Sequence, residues 1–303
     1  MQANRSVIWI EKGYDYFFSE RFNHWFERAI LYLALGGFAI HLLLIALNRL
    51  QWVTLFSATS ELFTNPISAI YTPFSFILVY EVYLLIYYLP RSFSTSIVKQ
   101  YEIISLIVIR RIFKDISKLE LNENWFYNKY DLQLTFDIIG FLLLFFLIYW
   151  FIKLKNNRPK VPDPKKTAQF ILFKKLVSVL LVPILLSLAV YSLYGWIMEV
   201  QQFQLGELSE LSDINNIFYE EFFYVLIIVD VTILIVSLLY TDRYSQLVRN
   251  TGFVISTVLI RVSFSSDGLI NIALIIAAVL FGALIMALYN MVERENNRVA
   301  EEQ

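Results

Sequence analysis

The sequence contains no cysteine, only two histidines and few charged residues, which make up 17% of its 303 positions. Without cysteine, disulfides, iron–sulfur clusters, thiolate zinc sites and cysteine nucleophiles are excluded. Basic and acidic residues nearly balance, 25 against 26, so no positively charged surface for nucleic acid is predicted. Two histidines provide few metal ligands, and we expect neither a metal nor another cofactor.

Apolar residues, by contrast, are abundant. Hydrophobic residues make up 58% of the chain and aromatic residues 17%. The mean hydropathy is +0.58. Soluble domains are about 45–50% apolar and about 25% charged, so this composition exceeds what a soluble core can bury. We therefore predict an all-α polytopic membrane helix bundle.

Eight stretches approach the roughly 20 apolar residues that a helix needs to cross a bilayer. We predict about eight transmembrane helices, which we number in chain order. These predicted spans are residues 29–47, 70–89, 97–113, 133–152, 176–198, 222–240, 247–264 and 269–289. Spans three and seven are the least apolar. An alternative with six spans places both of them at the membrane interface.

The distribution of lysine and arginine predicts the orientation. With both termini in the cytoplasm, most of the 25 basic residues lie on the inner side of the membrane. We therefore predict a multi-pass plasma (inner) membrane protein with cytoplasmic N- and C-termini. The predicted parts are an interfacial amphipathic segment (1–28), a first four-span repeat (29–153), a basic cytoplasmic linker (154–175), a second four-span repeat (176–292) and a charged cytoplasmic tail (293–303).

The two predicted repeats share a pattern of polar residues. When spans three and seven are aligned, Lys99 matches Arg249 and, after a one-residue insertion, Arg110 matches Arg261. Each preceding span carries one acid at a similar distance, Glu81 in the first half and Asp230 in the second. Because each repeat has an even number of spans, both repeats start on the same side of the membrane. We therefore predict two parallel pseudo-repeats.

Charged residues inside a membrane face the bundle interior and find partners there. By depth, we predict the pairs Glu81 with Arg110 and Asp230 with Arg261, and Arg111 is a second candidate partner for Glu81. Asp137 opens span four and is predicted to cap it or to pair with Arg110 or Arg111.

Glu102 breaks the symmetry between the halves. It either pairs with Lys99, three residues before it, or forms a proton or cation site that only the first half has.

The predicted function is a transporter or channel for a small ion or solute. Its path is predicted to be lined or gated by Glu81, Glu102, Arg110, Arg111, Asp137, Asp230 and Arg261. The alternative is a non-transporting membrane scaffold, a subunit of an envelope complex or a membrane-perturbing effector. The chain carries no catalytic signature such as a P-loop, HExxH or GxSxG, so no enzyme is predicted. The expected partners are the lipid bilayer, anionic lipid at the basic linker, and a second copy or another protein.

Overall fold

The computed structural model describes residues 2–50, 66–116, 129–158, 167–204, 214–241, 243–266 and 268–301, and nearly all of them are helical. A 3-10 turn, Pro66–Ile70, leads into the third of the helices. In chain order the described α-helices are α1 (Gln2–Phe18), α2 (Glu20–Arg49), α3 (Tyr71–Tyr87), α4 (Phe93–Ile116), α5 (Lys129–Asn156), α6 (Thr167–Gln204), α7 (Ile214–Leu238), α8 (Tyr244–Ser263) and α9 (Gly268–Glu301).

Helices α2 to α9 correspond in order to the eight predicted spans, so the prediction of an all-helical bundle is confirmed. Among the residues that the structure describes, five segments are long and apolar enough to cross a membrane. They are Val7–Arg49, Asp131–Asn156, Ala168–Ser192, Glu221–Leu238 and Gly268–Val299. A shorter apolar stretch, Thr72–Tyr87, lies in α3. The chain is thus a membrane protein, and α4 and α8, the two least apolar predicted spans, are not among the five segments.

Helix α8 has its polar side chains on the buried face. Asn250, Thr257 and Arg261 are buried, whereas Val262 and Ile255 are among the exposed residues. A surface helix of a soluble protein shows the opposite distribution. Such a helix suits a bundle whose outer surface meets hydrocarbon and whose interior is polar.

The halves of the bundle meet through parallel helices. Within the described residues, α2, α3, α4 and α5 pack in sequence, and so do α6, α7, α8 and α9. Contacts between the halves join α3 to α6, α4 to α8 and α5 to α9. Gly140 on α5 lies beside Ile272 on α9. Further along both helices, Asn290 on α9 donates a hydrogen bond to the Leu154 carbonyl on α5. Because both contacts follow the chain in the same direction, α5 and α9 run parallel.

The N-terminal segment packs against the bundle as a helix. α1 contacts α6, where Gly13 lies against Val179, and Tyr14 and Phe18 are buried. The chain then turns at Ser19, whose hydroxyl accepts a hydrogen bond from the Phe22 amide and caps α2.

Three helices extend into the predicted linker and tail. Helix α5 continues to Asn156 and α6 begins at Thr167, so helix enters both ends of the predicted linker. Helix α9 continues to Glu301 through most of the predicted tail. The prolines of the linker, at 159, 162 and 164, lie outside the described residues.

Candidate functional site

The first acid–arginine pair joins α3 to α4. Arg110 Nη2 lies 3.2 Å from Glu81 Oε2, and the carboxylate side chain is only 3% exposed. Arg110 Nη1 also donates to the Phe74 carbonyl at 3.3 Å. The pairing predicted from depth is therefore present. Each side chain neutralises a charge that would be unfavourable alone in hydrocarbon.

The second pair joins α7 to α8 and is shorter. Arg261 Nη1 lies 2.7 Å from Asp230 Oδ2, and both side chains are less than a tenth exposed, at 4% and 8%. The Thr257 hydroxyl lies 3.1 Å from the same carboxylate oxygen. Arg261 Nη2 donates to Gln100 Oε1 on α4 at 3.2 Å, so this pair also touches the first half. This second predicted pairing is also present.

A cavity leads from one end of the bundle to Asp230. Its volume is about 20 Å³, which is enough for a bound water molecule. Two residues lie at the mouth, exposed Arg91 in the turn between α3 and α4 and half-buried Phe93 at the start of α4. Thr257 and Asp230 lie deeper. Asp230 lies eight residues before the end of α7, roughly 12 Å along the helix at 1.5 Å per residue. The cavity therefore reaches a charged group well inside the bundle.

Lys174 also lines this cavity, and sequence reasoning missed it. Its basic neighbours placed it in the linker 154–175, but helix α6 already begins at Thr167. The side chain is 3% exposed and donates to the Arg91 carbonyl. Its ammonium lies 5.4 Å from the Phe93 ring centroid and 5.1 Å from that of Phe170. Phe170, four residues before Lys174 near the start of α6, was the only signal in the sequence.

Arg111 belongs to a separate network that also connects the halves. Its Nε and Nη2 lie 2.5 and 2.9 Å from the two oxygens of Asp137, a bidentate contact to a fully buried carboxylate. Arg111 Nη1 donates to Asn271 Oδ1, and Asn271 Nδ2 donates to the Ser263 carbonyl. Of the alternatives stated for these residues, the structure has Arg111 with Asp137 rather than with Glu81.

Glu102 lies apart from these groups. Its Oε2 is 2.6 Å from Lys99 Nζ, and both side chains are about a third exposed. This is the local pair that the spacing of three residues predicted. Among the residues that the structure describes, no cluster of three histidine, aspartate or glutamate side chains could hold a metal ion.

No protein-family model, curated protein or solved structure matches this chain.

Proposed function

We propose that this protein is an integral membrane transporter or channel for a small ion or solute, in which Asp230–Arg261 and Glu81–Arg110 line or gate the path. The observation that carries the proposal is the cavity that reaches Asp230 from the end of the bundle where Arg91 lies. An ion in this cavity meets a closed pair, with 2.7 Å between the charged groups. To pass further, the ion must separate the two charged groups or replace one of them. A pair of this kind therefore acts as a gate.

The proposal includes an internal duplication, with α2 to α5 and α6 to α9 as parallel repeats and with α4 and α8 crossing the membrane. Three observations support it. The helices of the two halves pack in the same order, the two acid–arginine pairs join corresponding helices, and α5 runs parallel to α9. Exposed apolar residues on α8, such as Val262, support contact of that helix with lipid.

Orientation is also part of the proposal. The positive-inside rule places both termini in the cytoplasm of an inner membrane. The turn between α3 and α4, which carries Arg91, then faces the cytoplasm. The cavity would open inward, and the Asp230–Arg261 pair would separate it from the outer side.

Flux in liposomes tests this function. Purified protein is reconstituted into vesicles loaded with potassium chloride, and release of each ion is followed with ion-selective electrodes. We expect flux above empty vesicles, and Asp230→Asn and Glu81→Gln to change it by roughly tenfold, which corresponds to about 1.4 kcal/mol in a barrier. Glu295→Gln, an exposed acid on α9, is the matched control and should leave the flux unchanged. Equal flux in all variants, with only lowered stability in the first two, would make the pairs structural.

A scaffold or complex subunit is the second candidate, and one observation favours it. On α1, Trp9 is 76% exposed and Tyr16 is 70% exposed. Exposed aromatics of this kind suit a lipid interface or a protein surface. Purification from native membranes in mild detergent tests it, because a scaffold should bring a partner in fixed stoichiometry.

A further inference from the structure

The cavity that reaches Asp230 contains more positive than negative charge. Its lining includes two basic residues, Lys174 and Arg91, and one acid, Asp230. Asp230 is already paired with Arg261. None of the ion pairs in the described part of the chain includes Lys174 or Arg91. From this balance we infer that the cavity binds a small anion at Lys174.

Lys174 is held in place by groups that do not neutralise it. The Arg91 carbonyl accepts one of the three ammonium hydrogens. The rings of Phe93 and Phe170 stack on each other with 5.9 Å between their centroids, and both lie on one side of the ammonium as cation–π partners. Two hydrogens remain for a ligand. A buried charge without a counter-charge is unfavourable, and an anion that accepts these hydrogens removes that cost.

Other polar groups that line the cavity are also suited to an anion. Gln100 Oε1 accepts a hydrogen bond from Arg261. The amide nitrogen of Gln100 therefore points toward Ser96, and it donates one of its two hydrogens to Ser96 Oγ at 3.5 Å. Gln100 and Ser96 both line the cavity, so it presents N–H and O–H donors. The cavity volume of about 20 Å³ admits an ion not much larger than a water molecule, so the cavity suits a small inorganic anion and is too small for a nucleotide or a lipid headgroup.

This inference rests on the proposed function, because the anion occupies the same cavity, and a binding assay separates the two. The full-length protein in detergent is kept in sodium gluconate, whose bulky anion does not fit the cavity. Sodium chloride, nitrate or formate replaces gluconate at constant ionic strength, and the thermal unfolding midpoint is recorded. An anion that binds only the folded protein raises the midpoint in a saturable way.

We expect a saturable rise for the wild type with at least one of the three anions. Lys174→Gln should weaken the apparent affinity by roughly tenfold or more, equivalent to about 1.4 kcal/mol of binding energy. Arg91→Gln, at the exposed mouth, should weaken it less because solvent screens its charge. Lys153→Gln removes an exposed lysine on α5 that does not line the cavity, and it should bind like the wild type.

If Lys174→Gln does not purify as a folded protein, Arg91→Gln and Ser96→Ala provide the test, since each retains the buried lysine. An absence of saturable stabilisation in the wild type, or unchanged affinity in these variants, would overturn the inference. Saturable binding without flux would support the anion site and contradict the proposed function. Flux without saturable binding would contradict the site alone.

Discussion

The hydroxyl of Tyr101 lies 2.6 Å from the hydroxyl of Ser256, and this contact joins α4 of one half to α8 of the other. Both side chains are buried, with no exposed surface. The single Ser256 hydroxyl hydrogen is donated to the Ala278 carbonyl at 2.6 Å, so Tyr101 is the donor between the two hydroxyls. The two halves are thus tied at their centre by a chain of two hydrogen bonds.

This direction of donation predicts unequal effects of two substitutions. Tyr101→Phe removes the donor and leaves Ser256 bonded to Ala278, so we expect a loss of roughly 0.6–1 kcal/mol. Ser256→Ala leaves the Tyr101 hydroxyl buried without an acceptor and should cost more, about 1–3 kcal/mol. Denaturant titration of the purified protein in mixed micelles measures both. A larger loss for Tyr101→Phe would contradict the assignment of the donor.

Removal of Arg261 should destabilise the protein strongly. Arg261→Gln leaves the Asp230 carboxylate buried with Thr257 as its remaining described contact, and breaking a buried pair in this way typically costs about 3–5 kcal/mol. The double variant Asp230→Asn with Arg261→Gln has no buried charge at this position, so we expect it to recover part of the loss. The same titration measures both variants, and additive losses would show that the two side chains do not interact.

Close packing of α5 on α9 predicts sensitivity at Gly140. A Cβ atom there would collide with the buried side chain of Ile272, so Gly140→Ala should cost roughly 1–3 kcal/mol by overpacking. Gly36→Ala is the matched control, because no atom lies within 4 Å of the position of its Cβ. Thermal unfolding in detergent compares them. Equal midpoints for both variants would mean that α5 and α9 are further apart than described.

The bidentate contact of Arg111 predicts that lysine cannot replace it. A lysine ammonium cannot contact both Asp137 oxygens and Asn271 together, so Arg111→Lys should lose about 1–3 kcal/mol although it retains the charge. Arg158→Lys, at an exposed arginine after α5, provides the control. Denaturant midpoints equal to the wild type in both variants would show that charge alone suffices at position 111.

The positions of the helices and of the main ion pairs could be predicted from the sequence. Apolar runs mark α2 to α9, and depth along these runs aligns Glu81 with Arg110 and Asp230 with Arg261. Both predictions need only the rise of a helix and the cost of an unpaired charge. Neither requires knowledge of how the helices are rotated.

Features that depend on helix rotation could not be predicted. Tyr101 on α4 meets Ser256 on α8, and Arg111 on α4 meets Asn271 on α9, only because these helices of the two halves pack with particular faces together. Lys174 was placed in the linker because hydropathy marks the hydrocarbon boundary, whereas helix α6 extends past it.

The most direct test of the account is whether water reaches Asp230 through the cavity. Because the chain contains no cysteine, single cysteines can be introduced without a background signal. The useful positions are Arg91 at the mouth, Thr257 beside Asp230, and exposed Ile255 on the apolar face of α8. Each variant is treated in sealed inner-membrane vesicles, in chloride-free gluconate buffer, with silver ion, a thiol-reactive cation small enough to follow water into the cavity.

We expect Arg91→Cys and Thr257→Cys to react from the cytoplasmic side and Ile255→Cys not to react. Prior addition of the anion that binds at Lys174 should slow the reaction of Thr257→Cys and leave that of Arg91→Cys nearly unchanged. If Thr257→Cys is as inert as Ile255→Cys while Arg91→Cys reacts, no aqueous path leads to Asp230 and the central claim is wrong.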